Sequence, residues 1–188
     1  MTLNDWFQKG IAYPHYVESM TVNKEELLSI YEKVQLSEEE KEFFAQLQEE
    51  KWRVIVLTAD WCGDAMLCVP ILKRIAEVAD FDLRMLIRDE NLELMDQYLT
   101  NGKSRSIPIF IFIDEQGNEK AVWGPRSPEV QQMIEQMRQE LPDQDDPTFE
   151  EKQRHMYRSF KEKISTDPTI WQTVIHSIRE RLSTPLVG

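Results

Sequence analysis

Glycine is scarce in this chain, with six in 188 residues, and cysteine is scarcer, with two. No internal repeat or low-complexity tract stands out, and so few glycines leave mostly regular elements joined by short connections. Two cysteines exclude a disulfide scaffold and fit a reducing compartment. No segment approaches the roughly 20 consecutive apolar residues that cross a bilayer. The opening stretch, MTLNDWFQKGIAYPHYVESM, lacks a charged region followed by an apolar run. The expectation is a cytoplasmic protein with no membrane partner. The three histidines, His15, His155 and His176, share no ligand spacing with one another or with the cysteines, so no metal is expected. A Gly-rich phosphate loop, a G-x-S-x-G elbow and a paired-carboxylate pattern are missing as well.

Positive charge is short, 22 Lys and Arg against 34 Asp and Glu, for a formal net charge of -12. The balance reverses from Lys152 onward, where seven Lys and Arg face three Asp and Glu, so the preceding residues carry about -16. Such a body repels phosphates, and no aromatic residues interleave with basic ones, which argues against a nucleic-acid partner. The expected arrangement is a basic tail folded back on its own acidic body; the alternative is a tail that recruits a separate partner.

What is present is enough apolar content, 41%, to bury one full core with extra elements attached. Residues 1–50 form a Pro-containing aromatic arm with Trp6, Phe7, Tyr13 and Tyr16, followed by two helices over roughly 24–49. Asn23 with Glu26 and Ser37 with Glu40 fit capping boxes that open those helices. Residues 51–141 form the sheet-bearing core. Arg53 to Thr58 is a short β-branched run, as in a strand buried on both faces. A helix over Cys62 to Ala79 follows, then a strand at Asp82 to Ile87, a helix at Asn91 to Leu99 and a strand at Ile107 to Ile113. A turn at Glu115 to Asn118 leads into a strand at Glu119 to Trp123, and Ser127 with Pro128 opens another helix. The order β-α-β-α-β-β-α is an α/β fold, a mixed sheet with helices on both sides. Residues 142–148 are a polar, double-proline linker. Residues 149–188 carry two amphipathic helices, one marked by Phe149, Met156, Phe160 and Ile164 and one opened by Asp167-Pro168 and marked by Trp171, Val174, Ile175, Ile178 and Leu182. A monomer with this pair packed on the sheet domain is favoured, and a helix-exchanged dimer is the alternative.

The stretch that carries chemistry is Ala59 to Cys68, ADWCGDAMLC. Its Trp61-Cys62-Gly63 opening matches C-x-x-C thiol chemistry, in which one thiolate attacks a disulfide and a second thiol releases the product. The fourth position is Ala65. Cys68 is a poor substitute, because six helical residues give about 9 Å of rise and about 240° of rotation, whereas a disulfide needs Cα atoms within roughly 7 Å. Cys68 is expected as a small buried apolar residue. Cys62 opens a helix, where unpaired N–H groups and the dipole favour a thiolate. The reading is an exposed Cys62 nucleophile covered by Trp61, with Gly63 permitting close approach of a partner; a buried inert thiol is the alternative. Asp64 suits the helix start but repels a nearby thiolate, so the thiol is expected to be only mildly activated.

Together, Trp61-Cys62-Gly63 at the start of the first sheet helix and Ser106-Ile107-Pro108 at the start of the third strand resemble the thioredoxin superfamily over roughly residues 50–140. WCGDAM is similar to a bacterial thioredoxin-like branch whose motif reads CGDC or CGDA. The resemblance implies a thioredoxin-like fold, a kink at Pro70 and a cis Ile107–Pro108 bond facing Cys62, whose exposed backbone edge holds substrate; Pro108 as a plain strand start is the alternative reading. Two departures stand out. Thioredoxins place proline where Asp64 stands, and a buried acid where Val56 stands, six residues before the nucleophile. Arg88, Lys103 and Arg105 are candidates for a positive rim that would select a carboxylate-bearing thiol, or else solvated loop charges.

Two functions are consistent with this reading. In one, Cys62 alone exchanges thiols with a protein or a low-molecular-weight thiol or disulfide, through a mixed disulfide that an outside thiol resolves. Such chemistry needs no metal or bound organic cofactor. In the other, the fold is a non-catalytic binding module.

Overall fold

The computed structural model describes residues 1–184; the last four residues of the 149–188 extension lie outside the described residues. Its centre is a five-stranded mixed sheet with helices on both sides. The strands are β1 (Ile11–Ala12), β2 (Arg53–Thr58), β3 (Asp82–Ile87), β4 (Ile109–Ile113) and β5 (Glu119–Trp123), in the order β1-β3-β2-β4-β5. β2 runs parallel to β3 and antiparallel to β4, with Val56 opposite Met85 on one side and Phe110 on the other. Because β2 is paired on both edges and covered on both faces, its β-branched run from Val54 to Thr58 is fully buried.

The helix α5 (Gly63–Ala79) follows β2 and is apolar nearly all round, every residue from Asp64 to Leu72 being buried, Pro70 among them. A helix with no polar face needs cover beyond the sheet. That cover comes from both ends of the chain, through α3 (Lys24–Lys33) and α4 (Glu38–Gln46) on one side of the sequence and α8 (Phe149–Thr166) and α9 (Pro168–Ser183) on the other. The Ser37 capping box forms, with Glu40 N–H to Ser37 Oγ at 3.1 Å and Ser37 N–H to Glu40 Oε1 at 2.8 Å. The box expected at Asn23 does not form. Asn23 sits in the left-handed region (φ 61°), and its side chain leaves the helix to donate to Asp60 O at 2.9 Å.

Two further differences follow from packing. The N-terminal arm is ordered as α1 (Leu3–Lys9), β1 and α2 (Tyr13–Ser19), and β1 pairs antiparallel with β3. Gly10 permits that pairing, since a Cβ there would lie 2.7 Å from Arg84 Cβ. The helix expected over Asn91 to Leu99 shrinks to the single turn α6 (Leu92–Met95). Asn91 gives its side-chain amide to Ile87 O instead of capping, and only Leu94 and Met95 are buried there.

The C-terminal pair folds back on its own chain. α8 lies on α3, α5 and α7 (Pro128–Gln139), and α9 lies on α4, α5, α7 and β5. Met156, Phe160 and Ile164 of α8 and Trp171, Val174, Ile175, Ile178 and Leu182 of α9 are buried. Asp167 caps α9 by accepting from Thr169 N–H at 2.9 Å. The opposite charges of tail and body meet at Lys161–Glu26 (3.6 Å) and Arg179–Glu39 (3.2 Å). Trp171 locks the pair, donating Nε1–H to Ile164 O at 2.8 Å while its ring is buried. Replacing Trp171 with Ala is therefore expected to cost about 3–5 kcal/mol, read as a lower urea midpoint; an unchanged midpoint would mean that the pair contributes nothing to the fold.

Candidate functional site

The site forms where β2 hands over to α5. Asp60 fixes the handover by accepting from Thr21 N–H (2.9 Å), Thr21 Oγ1–H (3.2 Å) and Val22 N–H (3.3 Å), which ties the N-terminal segment to the loop before the thiol. Cys62 is the N-cap of α5, and its sulfur accepts from Ala65 N–H at 3.5 Å. In the protonated form the thiol also donates to Ile107 O at 3.5 Å. The Ile107–Pro108 peptide is cis, and both residues are buried. Gly124 packs against this turn: its φ is +132°, and a Cβ there would collide with Pro108 O.

Cys62 is not the exposed nucleophile that the sequence suggests. It is 9% exposed, its sulfur held between Ala65 N–H and Ile107 O. Burial pushes its thiol up to about 11, and the charge of Asp64 adds to the rise, opposed by the N–H groups of Ala65 and Asp64 and by Arg126. The helix start therefore works as expected but is outweighed by desolvation. Removal of the fourth-position thiol leaves Ala65, 1% exposed, in the packed first turn. Cys68 lies inside the same helix, buried, with its thiol 3.8 Å from Pro125 O and no bond to Cys62. Val56 adds no proton acceptor beneath the site; it is fully buried among apolar strand neighbours.

Asp64 has a partner that the sequence did not reveal. Arg126 grips it through two hydrogen bonds, Nε–H to Oδ1 at 3.0 Å and Nη2–H to Oδ2 at 2.8 Å, and its third arm donates to Gln131 Oε1 at 3.0 Å. Burial raises the Asp64 carboxyl above its ordinary value, and the guanidinium pulls it back. Arg126 lies 62 residues from Asp64 in sequence, so only a basic residue just before the Ser127-Pro128 helix start could have hinted at it.

Arg88, Lys103 and Arg105, read as either a positive rim or solvated loop charges, lie beyond the cavity beside Cys62. Arg88 stacks its guanidinium 4.7 Å from the Trp61 ring centroid and donates to Arg105 O at 3.0 Å. Arg105 is held by Asp96 in a two-point pair at 2.8 and 3.1 Å. Lys103 is exposed on the neighbouring turn. None of the three borders the open cavity of about 410 Å³ beside Cys62. That cavity is lined by Trp61, Val22, Asn23, Gly63, Asp64 and Arg126, together with Tyr157, Phe160 and Lys161 of α8. A methyl group at Gly63 would make only an ordinary contact with Ile164 Cδ1, at 3.8 Å.

The raised thiol makes reactivity strongly pH-dependent. Labelling of Cys62 by iodoacetamide in the folded protein is expected to rise about tenfold per pH unit from 7 towards 10, following the thiolate fraction, while Cys68 stays unlabelled until unfolding. A rate that levels off near pH 8 would show that burial does not control the thiol. The same shift means that the folded state holds this proton more tightly than the unfolded chain. Stability tied to Cys62 is present below about pH 9 and is lost as pH rises towards about 11, a loss that Cys62→Ser removes.

A family model described as thioredoxin matches residues 10–138. No curated protein matches the sequence. Among solved structures, a protein of unknown function from Pseudomonas aeruginosa is similar, with 15% identity, a TM-score of 0.66, and coverage of 96% of this chain and 98% of that one. An HIV epitope scaffold is similar at 14% identity and a TM-score of 0.64, over 96% of this chain and 99% of that one. At these identities the two structures speak to the fold alone. The family match spans more than half of the chain and takes in β1 to β5, the Cys62 helix and the Ile107–Pro108 turn: the chain belongs to the thioredoxin family.

Proposed function

We propose that the protein is a thiol-disulfide exchange protein that works through Cys62 alone and contributes to cellular redox balance. The observation that carries this reading is the position of the sulfur, held at the N-cap of α5 by Ala65 N–H, beside Ile107 O and at the edge of an open cavity. Cys62 first loses its proton to solvent. The thiolate then attacks one sulfur of a disulfide, forming a mixed disulfide and releasing the other half as a thiolate, which takes up a proton. An outside thiol must break the mixed disulfide, because Ala65 offers no second sulfur and Cys68 is buried. With the thiol raised to about 11, the thiolate at neutral pH is on the order of one part in ten thousand. Exchange is therefore slow and favours disulfides with good leaving groups. Trp61, Gly63, Asp64 and Ala65 shape the site, and Asp64 with Arg126 stabilises the start of the helix.

One observation favours a second reading. The same burial of Cys62 suits a thioredoxin-fold binding module that has kept the scaffold and set aside the reaction, with half-exposed Trp61 as its contact. The two separate on a direct measurement. After exposure to oxidised β-mercaptoethanol at pH 8.5, intact-mass spectra are expected to show one persistent adduct on the wild type and none on Cys62→Ser. Ala65→Cys is expected to release that adduct by supplying a second thiol, raising turnover of the same small disulfide at least tenfold. An absent adduct, with Ala65→Cys as inert as the wild type, would select the binding module.

A further inference from the structure

The cavity beside Cys62 has properties that a groove for an extended protein strand would lack. Its outer wall is Tyr157, Phe160 and Lys161 of α8, a helix that begins beyond residue 138, where the family match ends. At about 410 Å³ it has the size of a small-molecule pocket. The charged groups lining it are Asp64, Arg126 and Lys161, two cations against one anion, on a chain whose net charge is -12. Asp64 and Arg126 satisfy each other. That leaves Lys161, partly exposed and, among the described residues, held only by Glu26 at 3.6 Å, as the cation able to meet a ligand. Asn23, 9% exposed, also lines the cavity and is held in place by its Nδ2–H on Asp60 O. A ligand that fits supplies a carboxylate for Lys161 and a short apolar stem for Trp61 and Phe160.

The geometry points to a low-molecular-weight disulfide bearing carboxylates as the substrate class of Cys62, selected by Lys161 and by the α8 wall, with protein disulfides excluded by the same wall. This rests on the reading of Cys62 as a nucleophile. The step is the one already balanced: Cys62 Sγ bonds to one sulfur of the small disulfide, the S–S bond breaks, and the other half leaves as a carboxylate-bearing thiol.

Three small disulfides of nearly equal size isolate the charge: dithiodipropionate, a dianion; cystamine, a dication; and hydroxyethyl disulfide, which is neutral. Adduct formation at Cys62 is followed by mass at pH 8.5, and each rate is divided by that of the same disulfide with the urea-unfolded chain, which removes intrinsic reactivity. The expected order is dianion over neutral over dication, with the dianion about fivefold above the neutral compound, the effect of one partly exposed ion pair. In Lys161→Met that ratio falls to about one. Insulin is expected to react at least tenfold more slowly than any of the three. A dication preference, a ratio unmoved by Lys161→Met, or insulin reacting as fast as the small disulfides would each overturn the substrate class while leaving Cys62 as a nucleophile. If no disulfide modifies Cys62, the exchange reading fails and the inference falls with it.

Discussion

The structure turns on the need to keep α5 out of water. The helix shows no polar face over its first three turns, so a sheet beneath it covers only part of its surface. The remainder has to be supplied by amphipathic helices, and the chain provides them from both termini, α3 and α4 before the core and α8 and α9 after it. Burying even five medium or large side chains of the C-terminal pair is worth on the order of 10 kcal/mol before ordering entropy is subtracted, comparable to the net stability of a whole domain. The extensions are thus part of one core with the family segment.

That cover has a chemical consequence, because the thiol sits at the end of the helix being covered. A helix N-terminus favours a thiolate by a dipole effect of about 0.3–1 kcal/mol in exposed settings, whereas desolvation of a buried charge is larger. Cys62 follows the larger effect and keeps its proton. The Asp64–Arg126 pair belongs to the same balance. A carboxylate in a buried first turn is tolerated only with a partner, and a two-point guanidinium supplies one.

Much of this was legible in the sequence because period and composition are local. β2, β3 and β5, the start of α7 at Ser127-Pro128 and the two C-terminal helices follow from β-branched runs, caps and helical spacing. The two-residue strand β1 left no trace, since Ile11 and Ala12 are too few for alternation and depend on Gly10 lying against Arg84. The Asn23 box failed because a tertiary acceptor, Asp60 O, competes for the same side chain. At the site, Cys62, Ala65 and the Ile107-Pro108 turn were legible as a motif. The burial of Cys62, the role of Arg126 and the cation at Lys161 were not, because each depends on a contact between residues far apart in the chain.

The wall that α8 raises over the thiol also sets an order of events on the ribosome. Cys62 and the segment anchored to Asp60 leave the exit tunnel early, and the sheet is complete once β5 has emerged. Tyr157, Phe160 and Lys161 arrive later, beyond the linker. Domains form from the N-terminal side during synthesis, so the nascent chain passes through an interval in which the cavity beside its sulfur lacks the α8 residues that line it in the finished protein.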